Sequence, residues 1–379
     1  MRKRPEIPPY KNPAVPPSRR VKDLLSRMTL EEKAAQMMCI WQEKSTKLQD
    51  ANGNFDPKKA RKHFGHGRGI GQIARPSDAG SKPTDAGIGK KPRETAELTN
   101  AIQKFFIENS RLGIPVMFHE ECLHGHAAIG ATSFSQPIGL GATFNPNLVR
   151  ALYAMAAEET RVRGAHQALT PVVDVARDPR WGRVEETFGE DPYLVAQLGV
   201  AAVKGFQGDA QFRDRKHVIA TLKHFAAHGQ PESGMNCAPV NVSMRVLRET
   251  FLQPFEESIR KAGAISVMAS YNEIDGVPSH ASEWLLKDVL RKEWGFKGFV
   301  VSDYYAIWEL GDRPDTHGHF IAGNKKESCL LSVRAGVVPH NGAVYFHFWT
   351  ASRADSSSIL EGVSSVVRCD TEPSGSIVA

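Results

Sequence analysis

The sequence has 379 residues, of which 41% are hydrophobic and 24% are charged. This composition supplies a large core and excludes a chain that is disordered throughout, and the length suits two or three domains or one large barrel. The formal net charge is +6, and no apolar run reaches the roughly 18 residues of a membrane span, so we expect no membrane partner.

The positive excess is concentrated at the N-terminus. Within the first 20 residues a single anion, Glu6, stands against six cations, which are Arg2, Lys3, Arg4, Lys11, Arg19 and Arg20. We expect residues 1–17 to form a basic, proline-rich, solvated tail and expect no nucleic-acid partner, because no basic stripe interleaved with aromatic residues follows. No signal segment is visible, which predicts a cytoplasmic protein, or a periplasmic or secreted one if the true start lies upstream.

Apolar strand-like runs alternate with amphipathic helices from residue 29 onward. A capping box of Thr29 and Glu32 opens the first of the predicted helices, which cover 31–37, 93–111, 146–164, 191–205, 243–261 and 281–293. Predicted strands cover 116–118, 168–175, 218–222, 265–269 and 298–301. This alternation predicts a parallel α/β sheet, and the polar residues that follow nearly every strand favour a (β/α)8 TIM-like barrel over a doubly wound sheet.

Two of these strand ends carry side chains suited to catalysis or binding. Asp303 follows the buried run 298–301, where a carboxylate would serve as a nucleophile, a general base, a metal ligand or the N-cap of the next helix. Lys223 and His224 are adjacent, and neighbouring strand residues face opposite sides, so only a bend would aim both at one ligand. Otherwise they are a core histidine beside a surface lysine.

Two polar segments and one glycine-rich segment need separate interpretations. The run 177–183, RDPRWGR, is either a salt-bridged loop brace or a sugar-binding segment with an indole for stacking. The group 119–126 lacks H-E-x-x-H spacing, so we expect no metal and assign Glu121 as an acceptor for a sugar hydroxyl. The glycine-rich run 65–71 matches no nucleotide motif. We therefore expect no cofactor, and interpret that run as a loop at the rim of the site.

The candidate site groups suit a neutral polyhydroxylated ligand. They are carboxylates, a Lys-His pair, arginine and aromatic rings, and no cofactor motif accompanies them. Glycoside hydrolysis fits this set, because retaining enzymes use one nucleophilic and one acid/base carboxyl group around an oxocarbenium-like transition state. The five cysteines are scattered without C-x-x-C spacing and predict neither a disulfide framework nor a zinc site.

Six motifs in order resemble glycoside hydrolase family 3, the β-glucosidase/β-xylosidase family. They are RVKDLLSRMTLEEKAAQM (20–37), HEECLHG (119–125), RDPRWGRVEETFGEDP (177–192), TLKHFAAHG (221–229), VMASYNEIDGVPSHAS (267–282) and GFVVSDYYAI (298–307). The resemblance implies that Asp303 is the catalytic nucleophile. It also implies that sugar hydroxyls are held by Glu121, Arg177, Lys223 and His224, and that Tyr271 lies near the nucleophile.

The resemblance has two departures within the site. Tyr304 stands where many members have a tryptophan directly after the nucleophile, so stacking on the aglycone side is expected to differ. Glu121 replaces the aspartate common among β-glucosidases, which leaves a β-glucosidase and a β-xylosidase both open. The expected substrate is a small-molecule or oligosaccharide β-glycoside, and the sugar, the linkage and the oligomeric state stay undetermined.

The resemblance covers residues 18–337 as one barrel domain and stops where the last barrel strand should begin. Residues 338–379 contain eight serines and no lysine and carry no helix or strand periodicity, so we expect an irregular tail and an incomplete last strand. In the family an α/β sandwich domain follows and usually supplies the acid/base glutamate. We therefore expect a truncated or frameshifted chain, and a sugar-binding barrel without turnover is the alternative. A metal-dependent hydrolase built on 119–126 is a third hypothesis.

Overall fold

A computed structural model of the chain describes residues 7–78, 89–209, 212, 214–311 and 318–338. The predicted C-terminal tail lies outside these ranges except for the backbone of Val338, and so do residues 1–6 of the predicted N-terminal tail.

Eight parallel strands form one sheet in the order β1-β2-β3-β4-β5-β6-β9-β10, and β7 pairs with β8 as a separate antiparallel hairpin. The strands are Cys39–Ile40 (β1), Gln72–Ala74 (β2), Met117–Glu120 (β3), Gln167–Ala168 (β4), Ile219–Phe225 (β5), Ser266–Ala269 (β6), Glu273–Ile274 (β7), Val277–Pro278 (β8), Phe299–Val301 (β9) and Val337–Val338 (β10). Strand order follows chain order, as the predicted (β/α)8 arrangement requires.

Helices connect successive strands of the sheet. The α-helices are Pro17–Arg27, Leu30–Gln36, Lys44–Lys47, Pro57–Phe64, Pro92–Asn109, Pro137–Gly141, Pro146–Val162, Pro192–Gln207, Met244–Val246, Gln253–Ala262 and Lys325–Ala335. Two π-helical stretches are Leu247–Leu252 and Trp284–Glu293. Short 3-10 turns are Pro9–Lys11, Val184–Glu186, Glu232–Gly234, Ser279–Ala281 and Trp308–Leu310.

The main core lies between the sheet and this helical layer. Helices Pro146–Val162 and Pro192–Gln207 pack against each other there, with the rings of Tyr153 and Phe206 centred 4.9 Å apart. Gly205 allows this close approach, because a Cβ at that position would lie 2.5 Å from the carbonyl oxygen of Arg150. Most residues of these strands are buried, as expected for a parallel sheet that is covered on both faces.

Contacts between distant strand ends show that the sheet curls. Side chains that follow its first strand contact side chains that follow β9. The rings of Trp41 and Tyr304 are centred 4.6 Å apart. Tyr305 donates its hydroxyl hydrogen to Oε1 of Gln42 at 2.6 Å. The TIM-like α/β architecture expected from the sequence is therefore confirmed, and the last strand begins at Val337 with two described residues beside β9.

Two local expectations are wrong. The run predicted as a strand over 168–175 is a regular strand only at Gln167–Ala168; beyond it the backbone still hydrogen-bonds to β5, as in the 2.8 Å bond from Val173 N to the Lys223 carbonyl. The glycine-rich run 65–71 precedes β2 and so lies at the amino ends of the strands. The polar residues of the expected site follow the strands, at the opposite end.

Candidate active site

Polar side chains gather at the carboxyl ends of five neighbouring strands. In strand order they are Glu121 after β3, Asp174 after β4, Lys223 and His224 within β5, Tyr271 after β6 and Asp303 after β9. The carboxyl ends of parallel strands share one edge of the sheet, so residues from distant parts of the chain meet there.

Asp303 is a buried carboxylate, 5% exposed, with one engaged and one open oxygen. Its Oδ1 accepts the Tyr304 backbone N–H at 2.7 Å, and its own N–H donates to Nε2 of His280 at 3.1 Å. Among the described residues, Oδ2 has no hydrogen-bond partner. Burial raises the pKa of Asp303, whereas the positive charges of Arg183 and Lys223 act to lower it.

His224 lies between two carboxylates. Its Nδ1 is 2.7 Å from Oδ2 of Asp174, which also accepts the His224 backbone N–H at 3.0 Å, and its Nε2 is 3.5 Å from Oδ2 of Asp303. Burial, followed by the charge of Arg183, lowers the pKa of His224 well below its usual value, so the ring is neutral. Burial raises the pKa of Asp174 to about 7.

Arg183, which the sequence analysis did not select, donates into this cluster. Its guanidinium nitrogens lie 2.9 Å from Nε2 of His224 and 3.3 Å from Nε2 of His228, and two parallel 2.8 Å bonds join it to Glu186. Arg177 was expected in this place, but its side chain is exposed and makes no hydrogen bond or ion pair with a described residue. Arg183 belongs to the same R-D-P-R-W-G-R run, so local sequence pointed to the segment but not to the arginine that reaches this cluster.

Lys223 and His224 both reach the site, as the hypothesis of a bend in β5 required. The pairing register of β5 with β6 shifts between Leu222 and Phe225, which removes the strict alternation of a regular strand. Lys223 Nζ lies 3.1 Å from Oε2 of Glu121, and Oη of Tyr304 lies 3.4 Å from the other carboxylate oxygen of Glu121. Glu121 is thus oriented from two sides.

Aromatic side chains flank Asp303. Tyr271, expected near Asp303, donates its hydroxyl hydrogen to the Tyr304 carbonyl at 2.8 Å. Burial, followed by the negative charge of Asp303, raises the pKa of Tyr271 well above its usual value. Trp41 stacks on Tyr304, and the Arg75 guanidinium lies 5.1 Å from the centre of a Trp41 ring. No local sequence signal identified Trp41, because Tyr304, on which it stacks, lies 263 positions away.

The polar group 119–126 is divided between the interior and the site. His119 and Glu120 are buried, with Nδ1 of His119 3.2 Å from Oε1 of Gln72 and Glu120 accepting the Ser77 N–H at 2.8 Å. Among the described residues, no group of three or more His, Cys, Asp or Glu side chains is arranged to hold a metal ion. Within the same ranges, none of the helices combines the length and apolar character of a membrane span.

Two carboxylate oxygens of the cluster have no hydrogen-bond partner among the described residues, Oδ1 of Asp174 and Oδ2 of Asp303. Asp174 is held by His224 through its other oxygen, Glu121 is paired with Lys223 and Glu186 with Arg183, so Asp303 is the least engaged of these carboxylates. An open, buried carboxylate beside cationic and neutral hydrogen-bonding groups is suited to attack on an electrophilic carbon of a polyhydroxylated ligand.

The sequence and the fold match one family of known proteins. The model of the glycosyl hydrolase family 3 N terminal domain matches residues 29–338. A putative beta-xylosidase of Formosa agariphila is 37% identical over 330 residues, covering 86% of this chain and 41% of that protein. A periplasmic beta-glucosidase of Salmonella typhimurium is 34% identical over 317 residues, covering 84% of this chain and 36% of that protein.

Two solved structures with a similar fold are also named as beta-glucosidases. A b-glucosidase from Erythrobacter marinus superposes with a TM-score of 0.79 at 35% identity, covering 94% of this chain and 45% of that chain. A beta-glucosidase from Listeria innocua, solved in complex with glucose, superposes with a TM-score of 0.71 at 30% identity, covering 92% and 46%. The chain spans less than half the length of each of these four proteins.

Proposed function

The chain belongs to glycosyl hydrolase family 3, and from this premise we propose that its barrel carries the nucleophile of a retaining β-glycosidase acting on terminal non-reducing β-linked sugars. The observation that carries the proposal is the open Oδ2 of buried Asp303 beside Arg183, Lys223 and His224. A β-glucosidase and a β-xylosidase both fit this cluster.

In the first step Oδ2 of Asp303 attacks the anomeric carbon while the bond from that carbon to the leaving oxygen breaks. A general acid protonates the leaving oxygen, and a covalent glycosyl ester of Asp303 remains. Water then attacks the same carbon, gives its proton to the conjugate base of that acid, and releases the sugar and the Asp303 carboxylate. Glu121, Lys223 and Arg183 hold hydroxyl groups of the sugar during both steps.

The general acid is assigned outside the described cluster, because its other carboxylates are engaged. The resemblance to the family implies a glutamate from a domain that follows the barrel. An activated aryl leaving group departs without protonation, so the first step is testable on the barrel alone, whereas a poor leaving group without the acid is expected to react about 10²–10⁴-fold more slowly.

The test is to incubate the full chain with a dinitrophenyl 2-deoxy-2-fluoro-β-glucoside or -β-xyloside and to map adducts by peptide mass spectrometry. We expect a glycosyl adduct on Asp303, none in Asp303→Asn, and an unchanged adduct in Asp288→Asn, a surface carboxylate paired with Lys292. The faster of the two reagents identifies the preferred sugar. An adduct on another carboxylate, or none on a chain shown to be folded, would contradict the proposal.

A sugar-binding barrel without turnover is the second candidate. It is favoured by the pairing of Glu121, Glu186 and Asp174 with cations or with an imidazole, which leaves no spare acid in the cluster. Binding of glucose or xylose by calorimetry, together with no adduct from either fluoro-glycoside, would select this function.

A further inference from the structure

The hydrogen bonds around His224 determine which of its ring nitrogens carries the proton. A guanidinium only donates hydrogen bonds, so the 2.9 Å contact from Arg183 makes Nε2 of His224 an acceptor. Because the ring is neutral, the proton must then be on Nδ1, where Oδ2 of Asp174 accepts it at 2.7 Å. The two contacts therefore select the same tautomer from opposite sides of the ring.

We propose that Asp174 is a positioning residue that fixes His224 as the Nδ1–H tautomer, so that the ring nitrogen nearest the nucleophile always presents a lone pair. The functional part of this inference rests on the proposed role of Asp303. The tautomer itself is a property of the folded chain.

The tautomer matters because Nε2 of His224 is only 3.5 Å from Oδ2 of Asp303. An N–H at that position would donate to the attacking oxygen and stabilise its negative charge before the reaction, which weakens a nucleophile. With a lone pair there, Oδ2 keeps no donor, in agreement with its lack of a hydrogen-bond partner among the described residues. Nε2 of His224 thus accepts a hydrogen bond from Arg183 or from a sugar hydroxyl.

Asp174 accepts hydrogen bonds from both the backbone and the ring of His224. One oxygen, Oδ2, accepts both the ring Nδ1–H and the backbone N–H of His224, at 2.7 and 3.0 Å. Asp174 is 2% exposed, so in the folded chain it, and not bulk water, is the acceptor of both N–H groups. Removing the side chain leaves Arg183 as the one contact among the described residues that still favours the Nδ1–H tautomer, so the Nε2–H form, turned toward Asp303, gains population.

Two substitutions separate positioning from simple structural support. In Asp174→Asn the amide oxygen can take the place of Oδ2 and accept both N–H groups, whereas Asp174→Ala offers no acceptor. Asp178→Ala is the matched control, because Asp178 lies in the same segment but pairs with the largely exposed Arg180. Folding of each variant is checked by circular dichroism and thermal unfolding.

The first readout is the ¹⁵N chemical shifts of the His224 ring in the full chain labelled at histidine, assigned with His224→Gln. The spectra are recorded at about pH 8, above the pKa of about 7 to which burial raises Asp174. We expect the Nδ1–H tautomer in the parent chain, in Asp174→Asn and in Asp178→Ala, and a raised share of the Nε2–H tautomer in Asp174→Ala, where only the Arg183 contact still opposes it.

The second readout is the rate at which the activated fluoro-glycoside labels Asp303. We expect Asp174→Ala to slow labelling by about 10- to 100-fold, by analogy with the loss seen when the outer hydrogen-bond partner of a metal-ligating histidine is removed. Asp174→Asn should stay within about threefold of the parent chain. An unchanged tautomer in Asp174→Ala, or equal slowing in both variants, overturns the proposal.

The two readouts separate this proposal from the proposed function. A parent chain that never forms an adduct refutes the nucleophile role of Asp303, yet its ¹⁵N spectrum still decides whether Asp174 fixes the tautomer. If Asp174→Ala does not fold, an Nε2–H tautomer in the parent chain or in Asp174→Asn is the result that refutes the assignment.

Discussion

Arg183 is the most constrained cation of the site. Its guanidinium donates to the imidazoles of His224 and His228 and forms a bidentate pair with Glu186, and its side chain is 21% exposed. The planar fork of arginine can satisfy all these acceptors together, which a lysine ammonium on a flexible stem cannot. Arg183, and not Arg177, is therefore the arginine of this segment that we propose as a ligand of a sugar hydroxyl.

We expect Arg183→Lys to slow labelling of Asp303 by the fluoro-glycoside about 10- to 100-fold, because hydrogen bonds to charged groups contribute about 1.5–3 kcal/mol. The matched control is Arg177→Lys, which changes an exposed arginine of the same segment and should stay within about threefold of the parent rate. The measurement is the initial rate of adduct formation by mass spectrometry. Greater slowing in Arg177→Lys would restore the original assignment.

Helix starts are the elements that local sequence predicted best. The capping box of Thr29 and Glu32 is present in both directions, at 3.2 and 2.9 Å, and opens the helix Leu30–Gln36. Asn145 caps Pro146–Val162 by accepting the Leu148 N–H at 3.1 Å. These bonds join residues three positions apart, so their partners are visible in the sequence itself.

We expect Asn145→Ala to lower the free energy of unfolding by about 1 kcal/mol, because the Leu148 N–H loses its acceptor. Asn145→Ser keeps an oxygen in the capping position and should lower it by less than half as much. The measurement is urea denaturation at equilibrium, followed by circular dichroism. An equal loss in both variants would show that the side-chain oxygen of Asn145 is not what stabilises the helix start.

Strand lengths were predicted less well than helix starts. The apolar run 168–175 has the composition of one buried strand, but only Gln167–Ala168 is regular, and the following residues hydrogen-bond irregularly to β5. Conversely, β5 extends through Lys223 and His224 to Phe225, beyond its predicted end at residue 222. Whether a run pairs regularly depends on its neighbour strand, which hydrophobic periodicity does not contain.

The molecule as a whole buries several imidazoles in neutral form. Burial lowers the pKa of His228 and of His280 to about 3, and that of His166 to about 4. Their folded pKa values lie below the unfolded value of about 6.5, so each contributes stability above that pH and loses it as the pH falls. Asp174, whose pKa burial raises, acts in the opposite direction between about pH 4 and pH 7.

We expect the free energy of unfolding to be lower at about pH 5.5 than at about pH 7.5, with each depressed histidine contributing a loss of about 1 kcal/mol. His166→Gln isolates one contribution, because His166 accepts the Phe118 N–H at 3.1 Å and glutamine offers an oxygen in its place. The free energy of unfolding is measured by urea denaturation at both pH values. The loss of this free energy from about pH 7.5 to about pH 5.5 should be about 1 kcal/mol smaller in this variant than in the parent chain. An unchanged difference would contradict a depressed pKa for His166.

Local patterns were sufficient for the parallel α/β order, the helix starts and the position of Asp303 after a buried strand, because each rests on contacts within a few residues or on a fixed period. The long-range contacts of the site residues could not be predicted from such local patterns. Arg183 meets His224 across 41 positions, Asp174 meets His224 across 50, and Gln42 meets Tyr305 across 263. These contacts exist only because the sheet curls and brings the ends of distant strands to one edge, so the choice of arginine, the tautomer of His224 and the place of Trp41 were decided by the tertiary structure.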